Sequence, residues 1–221
     1  MNNQVPKKRA IAYIDGFNLY YGLRASNYRK YLWLNLWDMA RRLLRDDQEL
    51  VCAKYFTARI SGGKPSDRES YAADRNARRS RQAVFLDALG TVDGIKILYG
   101  QYLEDEVTCN KCGATWMDAE EKMTDVRIAT EMIVDSFANR YDVALLVSGD
   151  SDLVPPIKAI KACHPHKRIN VAFPPGRASA WLKQAADGEC MIYKGTLKKS
   201  QLPEEITTAS GFVLRKPIEW N

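Results

Sequence analysis

No apolar run in this chain approaches the ~20 residues needed to span a bilayer, which argues against a membrane-spanning helix. The cysteines number five and are scattered, except for the close pair Cys109 and Cys112. An odd, dispersed set is not a disulfide scaffold and suits a reducing compartment. No repeat, linker or low-complexity tract interrupts the chain, so no appended targeting module is expected. The opening residues, MNNQVPKKRA, run straight into strand-like sequence without the apolar core of a signal peptide. A cytoplasmic protein with no membrane partner is the expectation.

What is present fits one domain with an insertion. Of 221 residues, 46% are apolar, enough for a packed core, and 27% are charged. The net charge of +6 is an excess that a polyanion would use and an acidic small-molecule pocket would not need.

Strand-like and helix-like segments alternate. Arg9–Asp15 reads as a buried strand, Gly16 as the turn after it, and Phe17–Leu23 as a helix. Leu34–Leu44 repeats at helical spacing, Leu50–Ala58 is a second strand, and Ser61–Pro65 is a loop. A long helix over Asp67–Leu89 carries Arg68, Arg75, Arg78, Arg79 and Arg81; a solvated face explains these about as well as RNA does. A third strand covers Ile95–Tyr102, and a hairpin insertion over 103–118 follows, with Cys109–Gly113 at its tip. Then come a helix at Asp125–Phe137, a strand at Asp142–Val147, and a helix at Leu153–Ala162 whose Pro155 and Pro156 fit only a first turn. A strand at Arg168–Phe173 and a helix at Ala178–Ala186 close a domain of residues 1–200, and 201–221 reads as an extended tail. The alternation predicts a three-layer α/β/α fold with a mostly parallel sheet of about five strands. Ligands in such sheets bind beyond the carboxyl ends of the strands, at the switch in strand order.

Acids stand at those ends. Asp15 closes the first strand; Asp150 and Asp152 follow the fourth; Asp125 opens a helix. Each also has an ordinary explanation: Asp15 as a turn residue, Asp150 and Asp152 as helix caps, and Asp125 as a first-turn acid. Together they suit a hard cation, Mg²⁺ or Mn²⁺, because oxygen donors are what such ions take.

The segments IDGFNLYYG, EEKMTDV and LLVSGDSDLVP together resemble the NYN domain, a branch of the PIN-like nuclease superfamily, over about residues 9–190. The resemblance implies a divalent-metal-dependent ribonuclease; the RNA partner is expected to be single-stranded rather than paired. It implies Asp15, Asp125, Asp150 and Asp152 as catalytic and metal-binding residues. Glu131 falls where many relatives carry an aspartate, which makes it a further candidate ligand. Asn18 matches the D-G-x-N turn; it, Ser148, Lys122 and Arg177 are candidate substrate contacts, with capping, turn or solvated roles, or for Ser148 a hydrogen bond to an acid, as the alternatives. Arg177, in FPPGRAS beyond the fifth strand, would grip a phosphate together with the helix start after it. Arg24 and Lys183 would extend the groove, while Tyr20, Tyr21 and Trp181 would either stack on bases or pack.

Cys109 and Cys112 have the spacing of half a zinc knuckle. Cys163 and His166 have the spacing of another half, but they lie at the opposite end of the expected sheet. A homodimer that shares the site stays open, as does a free pair. The competing functional readings are a catalytically silent NYN module that binds RNA or protein, and a small phosphatase or nucleotidase.

Overall fold

The computed structural model describes residues 6–62 and 69–221, with the backbone alone at 102–106 and 116–122. Parts of the Ser61–Pro65 loop, and Arg68, therefore lie outside the described residues. In chain order the strands are β1 (Lys8–Asp15), β2 (Gln48–Thr57), β3 (Ile95–Tyr99), β4 (Gln101–Thr108), β5 (Thr115–Lys122), β6 (Val143–Val147), β7 (Arg168–Phe173), β8 (Gly188–Met191), β9 (Glu205–Thr207) and β10 (Val213–Arg215). The helices are α1 (Gly16–Ala25), α2 (Leu36–Leu43), α3 (Glu69–Gly90), α4 (Thr124–Phe137), α5 (Val154–Cys163), α6 (Ala180–Ala185) and α7 (Lys194–Lys199).

Six strands form one sheet in the order β3-β2-β1-β6-β7-β8, with every pairing parallel. A parallel sheet needs both faces covered, and its central strands read accordingly: all five residues of β6 are buried. Period-two alternation divides the core. Ala12 and Ile14 face α1, α2 and α3, with Leu19, Leu23, Met39 and Leu89. Ile11 and Tyr13 face α4, α5 and α6, with Ile128, Met132, Ile157 and Leu182. The result is a three-layer α/β/α domain.

The strand at the far edge, β8, goes beyond the five expected. Its four residues, Gly-Glu-Cys-Met, carry almost no apolar periodicity. They become a strand because β7 offers an open edge, and backbone pairing needs no hydrophobic pattern. The third strand stops at Tyr99, sooner than expected: the Gly100 N–H donates to the Thr57 carbonyl, and the chain leaves the sheet as the antiparallel β4–β5 hairpin. Residues after α7 form the small β9–β10 hairpin and bring Trp220 against Trp33 and Phe85. Among the described residues, no helix is long and apolar enough to cross a membrane.

Strand order reverses between β1 and β6, whose register places Ile14 beside Val147. The segments after them lead into α1 and into the Ser148–Asp152 turn, and such a switch in strand order leaves a crevice at the carboxyl ends of the strands.

Candidate active site

Asp15 and the Ser148-Gly149-Asp150 turn meet in that crevice through a chain of hydrogen bonds. Asp15 Oδ1 accepts from the Asn18 N–H at 2.9 Å, which caps α1. Asp15 Oδ2 accepts from the Ser148 hydroxyl at 2.8 Å, and Ser148 Oγ in turn accepts from the Asp150 N–H at 3.0 Å. Asp150 Oδ1 accepts from the Asp152 N–H at 2.9 Å and caps the short 3-10 turn Ser151–Leu153. Asn18 Oδ1 accepts from the Gly149 N–H at 3.0 Å, tying α1 to the end of β6. Capping and clustering therefore coexist, since one carboxylate can satisfy a helix start and still face the crevice.

Asp125 arrives from a third segment, in the first turn of α4. Met123, with φ of 75°, turns the chain from β5 into that helix. A left-handed conformation is uncommon for a non-glycine residue, and strained positions of this kind gather near functional sites.

The acids sense one another. Burial, and then the nearby Asp125 and Asp150 charges, outweigh the Asn18 and Ser148 hydrogen bonds and push the Asp15 carboxyl up to about 6. Burial, and then Asp150 and Asp152, push Asp125 up as well. A carboxyl with a raised folded value loses stability as pH climbs through the interval above its unfolded value, here from about 4 to about 6, and regains none above it. The metal-free protein should therefore be weakened by Asp15 at neutral pH, by on the order of 2–3 kcal/mol. We expect Asp15→Asn to melt higher than the native sequence at neutral pH and at nearly the same temperature near about pH 4. Equal melting temperatures across this range would show that the carboxylate is not disfavoured.

Other sequence candidates fall elsewhere. Glu131 lies away from the rim, since its carboxylate accepts from Lys54 Nζ at 2.6 Å. Lys54 is buried and also donates to Asp135 at 2.5 Å, so the charge of Glu131 is already balanced. Ser148 is fully buried with its oxygen engaged on both sides; it positions Asp15 and Asp150 and has no reach to a substrate. The Asn18 side-chain oxygen is likewise held by Gly149. Lys122, and Glu121 beside it, lie outside the described side chains. Lys183 is paired with Glu189 at 2.8 Å rather than free to extend the groove.

Arg177 is exposed and stands against the crevice. Its N–H donates to the Pro174 carbonyl at 3.0 Å, and Gly176, at φ of 69°, completes that turn. A Cβ at Gly149 would lie 1.8 Å from the Arg177 carbonyl oxygen, so the two loops touch backbone to backbone and only glycine fits. The helix beyond is too short to serve a phosphate: α6 has six residues, and Ser179 already caps it. Any anion contact here falls to the Arg177 guanidinium.

Tyr20 is half-buried and Tyr21 is 47% exposed. Trp181 is 69% exposed on α6. Cys109 and Cys112 sit at the β4–β5 tip, where Gly113 turns the chain at φ of 70°. The Lys111 and Cys112 N–H groups, then the Cys112 thiol, hydrogen-bond the Cys109 sulfur and hold it below the ordinary thiol range. Among the described residues no set of three or more His, Cys, Asp or Glu side chains forms a ready metal cage, at this tip or at the acid rim.

The NYN domain model matches residues 9–193, most of the chain. The chain belongs to the NYN domain family. This NYN protein therefore falls within the PIN-like nuclease superfamily, as its all-parallel sheet and three layers accord. It is also similar to 6-hydroxy-3-succinoylpyridine 3-monooxygenase HspA of Pseudomonas putida, at 27% identity, with 96% of this chain and 75% of the relative covered. A crystal structure of a Vibrio parahaemolyticus protein of unknown function, VPA0982, shares the fold: TM-score 0.56 and 21% identity, covering 90% of this chain and 99% of that one.

The Lys54–Asp135 pair escaped the sequence analysis although its signal was present. Lys54 interrupts the apolar run of β2, and Asp135 continues the buried face of α4 set by Ile128 and Met132. A buried charge on each of two neighbouring elements is a pair waiting to be matched.

Proposed function

We propose that this NYN protein is a divalent-metal-dependent nuclease that hydrolyses phosphodiester bonds in RNA at the rim of Asp15, Asp125, Asp150 and Asp152. The observation that carries this reading is the electrostatic convergence of carboxylates from three separate segments at the sheet's switch point, with Asp15 buried and raised to about 6. Crowded like charges have no packing value; a hard cation offsets their repulsion.

The donor set suits Mg²⁺ or Mn²⁺. All donors are oxygens, and Mg²⁺ keeps most of its waters and needs only one or two protein carboxylates, so no closed cage is required. The Thr124 hydroxyl, buried next to Asp125, has no hydrogen-bond partner among the described residues, leaving a spare oxygen donor beside the rim. A bound ion would polarise the phosphoryl oxygen and lower the pKa of an attacking water. Asp15, Asp150 and Asp125 would hold it, and Asp152, exposed at the rim, would orient water. Arg177 would meet the substrate phosphate from the facing loop, giving a charge-assisted contact.

The test is a Mn²⁺ titration followed by melting temperature. Binding to the folded state alone adds about 2.7 kcal/mol at a hundredfold excess over the dissociation constant. The gain should be larger at neutral pH than near about pH 5, because protons on Asp15 compete with the metal. A catalytically silent NYN module would gain nothing at either pH.

A second reading comes from the HspA relative, whose name describes oxygenation of a hydroxypyridine bearing a succinoyl chain. On that reading the domain acts on a small aromatic acid, and RNA oligomers would be untouched under conditions in which such acids bind.

A further inference from the structure

Beside the acid rim, on the α1–α3 face of the sheet, lies a half-open pocket of about 350 Å³ whose α3 and C-terminal walls the nuclease reading does not use. Its size lies within the ~300–1,000 Å³ of small-molecule sites.

The walls state what would fill it. Rings come from every side: Phe17 and Tyr20 from α1, Tyr55 from β2, Tyr71 and Phe85 from α3, and Trp220 from the C-terminal segment. Trp220 is held in place by Phe85 at 5.9 Å and Trp33 at 6.3 Å between ring centroids. Aromatic walls offer stacking and edge contacts to a flat ring. The floor is aliphatic, with Leu34 and Leu36.

The charge lining is one-sided. Among the described residues, Arg24, Arg75, Arg78 and Arg81 border the space, against the one carboxylate of Asp74. Asp74 pairs with Arg78 at 2.7 Å, and Glu219 pairs with Arg81 at 2.9 Å. Arg24 has no carboxylate partner among the described residues; its guanidinium lies 5.5 Å from the Tyr20 ring centroid and donates to that hydroxyl at 3.5 Å. A guanidinium held against a ring, at the edge of an aromatic slot, is placed to receive an anion carried by a stacked ring.

We propose that this cavity binds a small molecule consisting of a planar aromatic ring with an anionic group, the ring between Tyr20, Tyr71 and Trp220 and the anion on Arg24. Two sources share that chemistry, a free nucleotide and an aromatic carboxylic acid. The site adjoins the acid rim and shares Arg24 and Tyr20 with the groove expected for RNA, but it uses none of the four rim aspartates and does not rest on the nuclease reading.

Calorimetry on the full chain tests it, with adenosine 5′-monophosphate and 4-hydroxybenzoate as probes and adenosine and 4-hydroxybenzamide as their neutral counterparts. We expect saturable binding of at least one anion, at one site per chain, and about tenfold weaker binding of its neutral counterpart. Arg24→Gln should remove that preference, and Tyr71→Ala, at an exposed position, should weaken anion and neutral form alike, with melting temperatures unchanged. Which anion binds more tightly identifies the source. Asp150→Asn should leave binding intact, so failure of the nuclease reading and failure of this one are told apart. Absence of binding by both anions, equal affinity for charged and neutral forms, or binding indifferent to both Arg24→Gln and Tyr71→Ala would overturn the proposal.

Discussion

Asp15→Asn and Asp150→Asn are each expected to slow Mn²⁺-dependent cleavage of a labelled single-stranded RNA by at least about 100-fold. The reason is placement. Ser148 donates to the Asp15 carboxylate and accepts from the Asp150 backbone N–H, while the Asp152 N–H holds the Asp150 carboxylate, so both acids are held at fixed orientations on either side of the switch point. An amide keeps the size and the cap but removes the charge that holds a cation. Folding should survive, since the Asn18 N–H keeps an oxygen acceptor at position 15. Asp152→Asn should cost less, because Asp152 is exposed and its N–H, not its carboxylate, is what the Asp150 cap uses. Full activity in both Asp15→Asn and Asp150→Asn would remove the proposed chemistry, whatever the melting curves show.

Lys54→Met is expected to lower unfolding free energy by roughly 3–5 kcal/mol, measured by urea denaturation. Asp135 is fully buried and accepts from Tyr13 at 2.6 Å, Lys54 at 2.5 Å and Arg140 at 2.9 Å. Burial alone would raise its carboxyl, but Lys54, Tyr13 and Arg140 outweigh burial and hold it below the ordinary range. A depressed folded value stabilises above the unfolded value and is lost as pH falls through the folded one, so this contribution is complete at neutral pH and fades below about pH 4. Removing Lys54 leaves Asp135 and Glu131 without their shared cation. The triple variant Lys54→Met, Asp135→Leu, Tyr13→Phe should recover most of the loss, because a buried pair replaced by apolar groups of similar size is often neutral. Tyr13 must change too, since its hydroxyl would otherwise be buried without an acceptor, at a cost of about 1–3 kcal/mol. A loss below about 1 kcal/mol for Lys54→Met would show the pair to be energetically idle. The pair also matters to the rim, because it fixes the α4 face on β1 and β2 and so sets where Asp125 stands.

Much of this was legible before the fold was known. The apolar runs Ala10–Ile14 and Val143–Val147, each ending in a turn and an acid, read as strands because burial on both faces leaves a continuous hydrophobic signature. Helix α5 was legible from Pro155 and Pro156, which fit only a first turn. Strand β8 was not, because its edge pairing is satisfied by backbone groups and leaves no pattern in Gly188–Met191. Glu131 was a candidate ligand because it falls where relatives carry an aspartate; six residues beyond Asp125 at about 1.5 Å each carry it roughly 9 Å down the axis, to Lys54. Ser148 stayed open between a phosphate, an acid and a turn role because a sequence does not say which way a hydroxyl points; it points at Asp15. The ring-lined cavity was equally hidden, since Tyr20, Tyr71 and Trp220 are far apart in the chain and converge only when the C-terminal segment folds back.

The amino-acid order alone settled the layers and the polarity of the sheet, together with the acids at its carboxyl ends, since those follow from local periodicity and from turns that need particular residues. Only the folded chain decided which of those acids share a crevice, which are neutralised by a lysine, and where aromatic rings leave room between them. Such matters depend on distances between segments far apart in the chain, and periodicity carries no record of them.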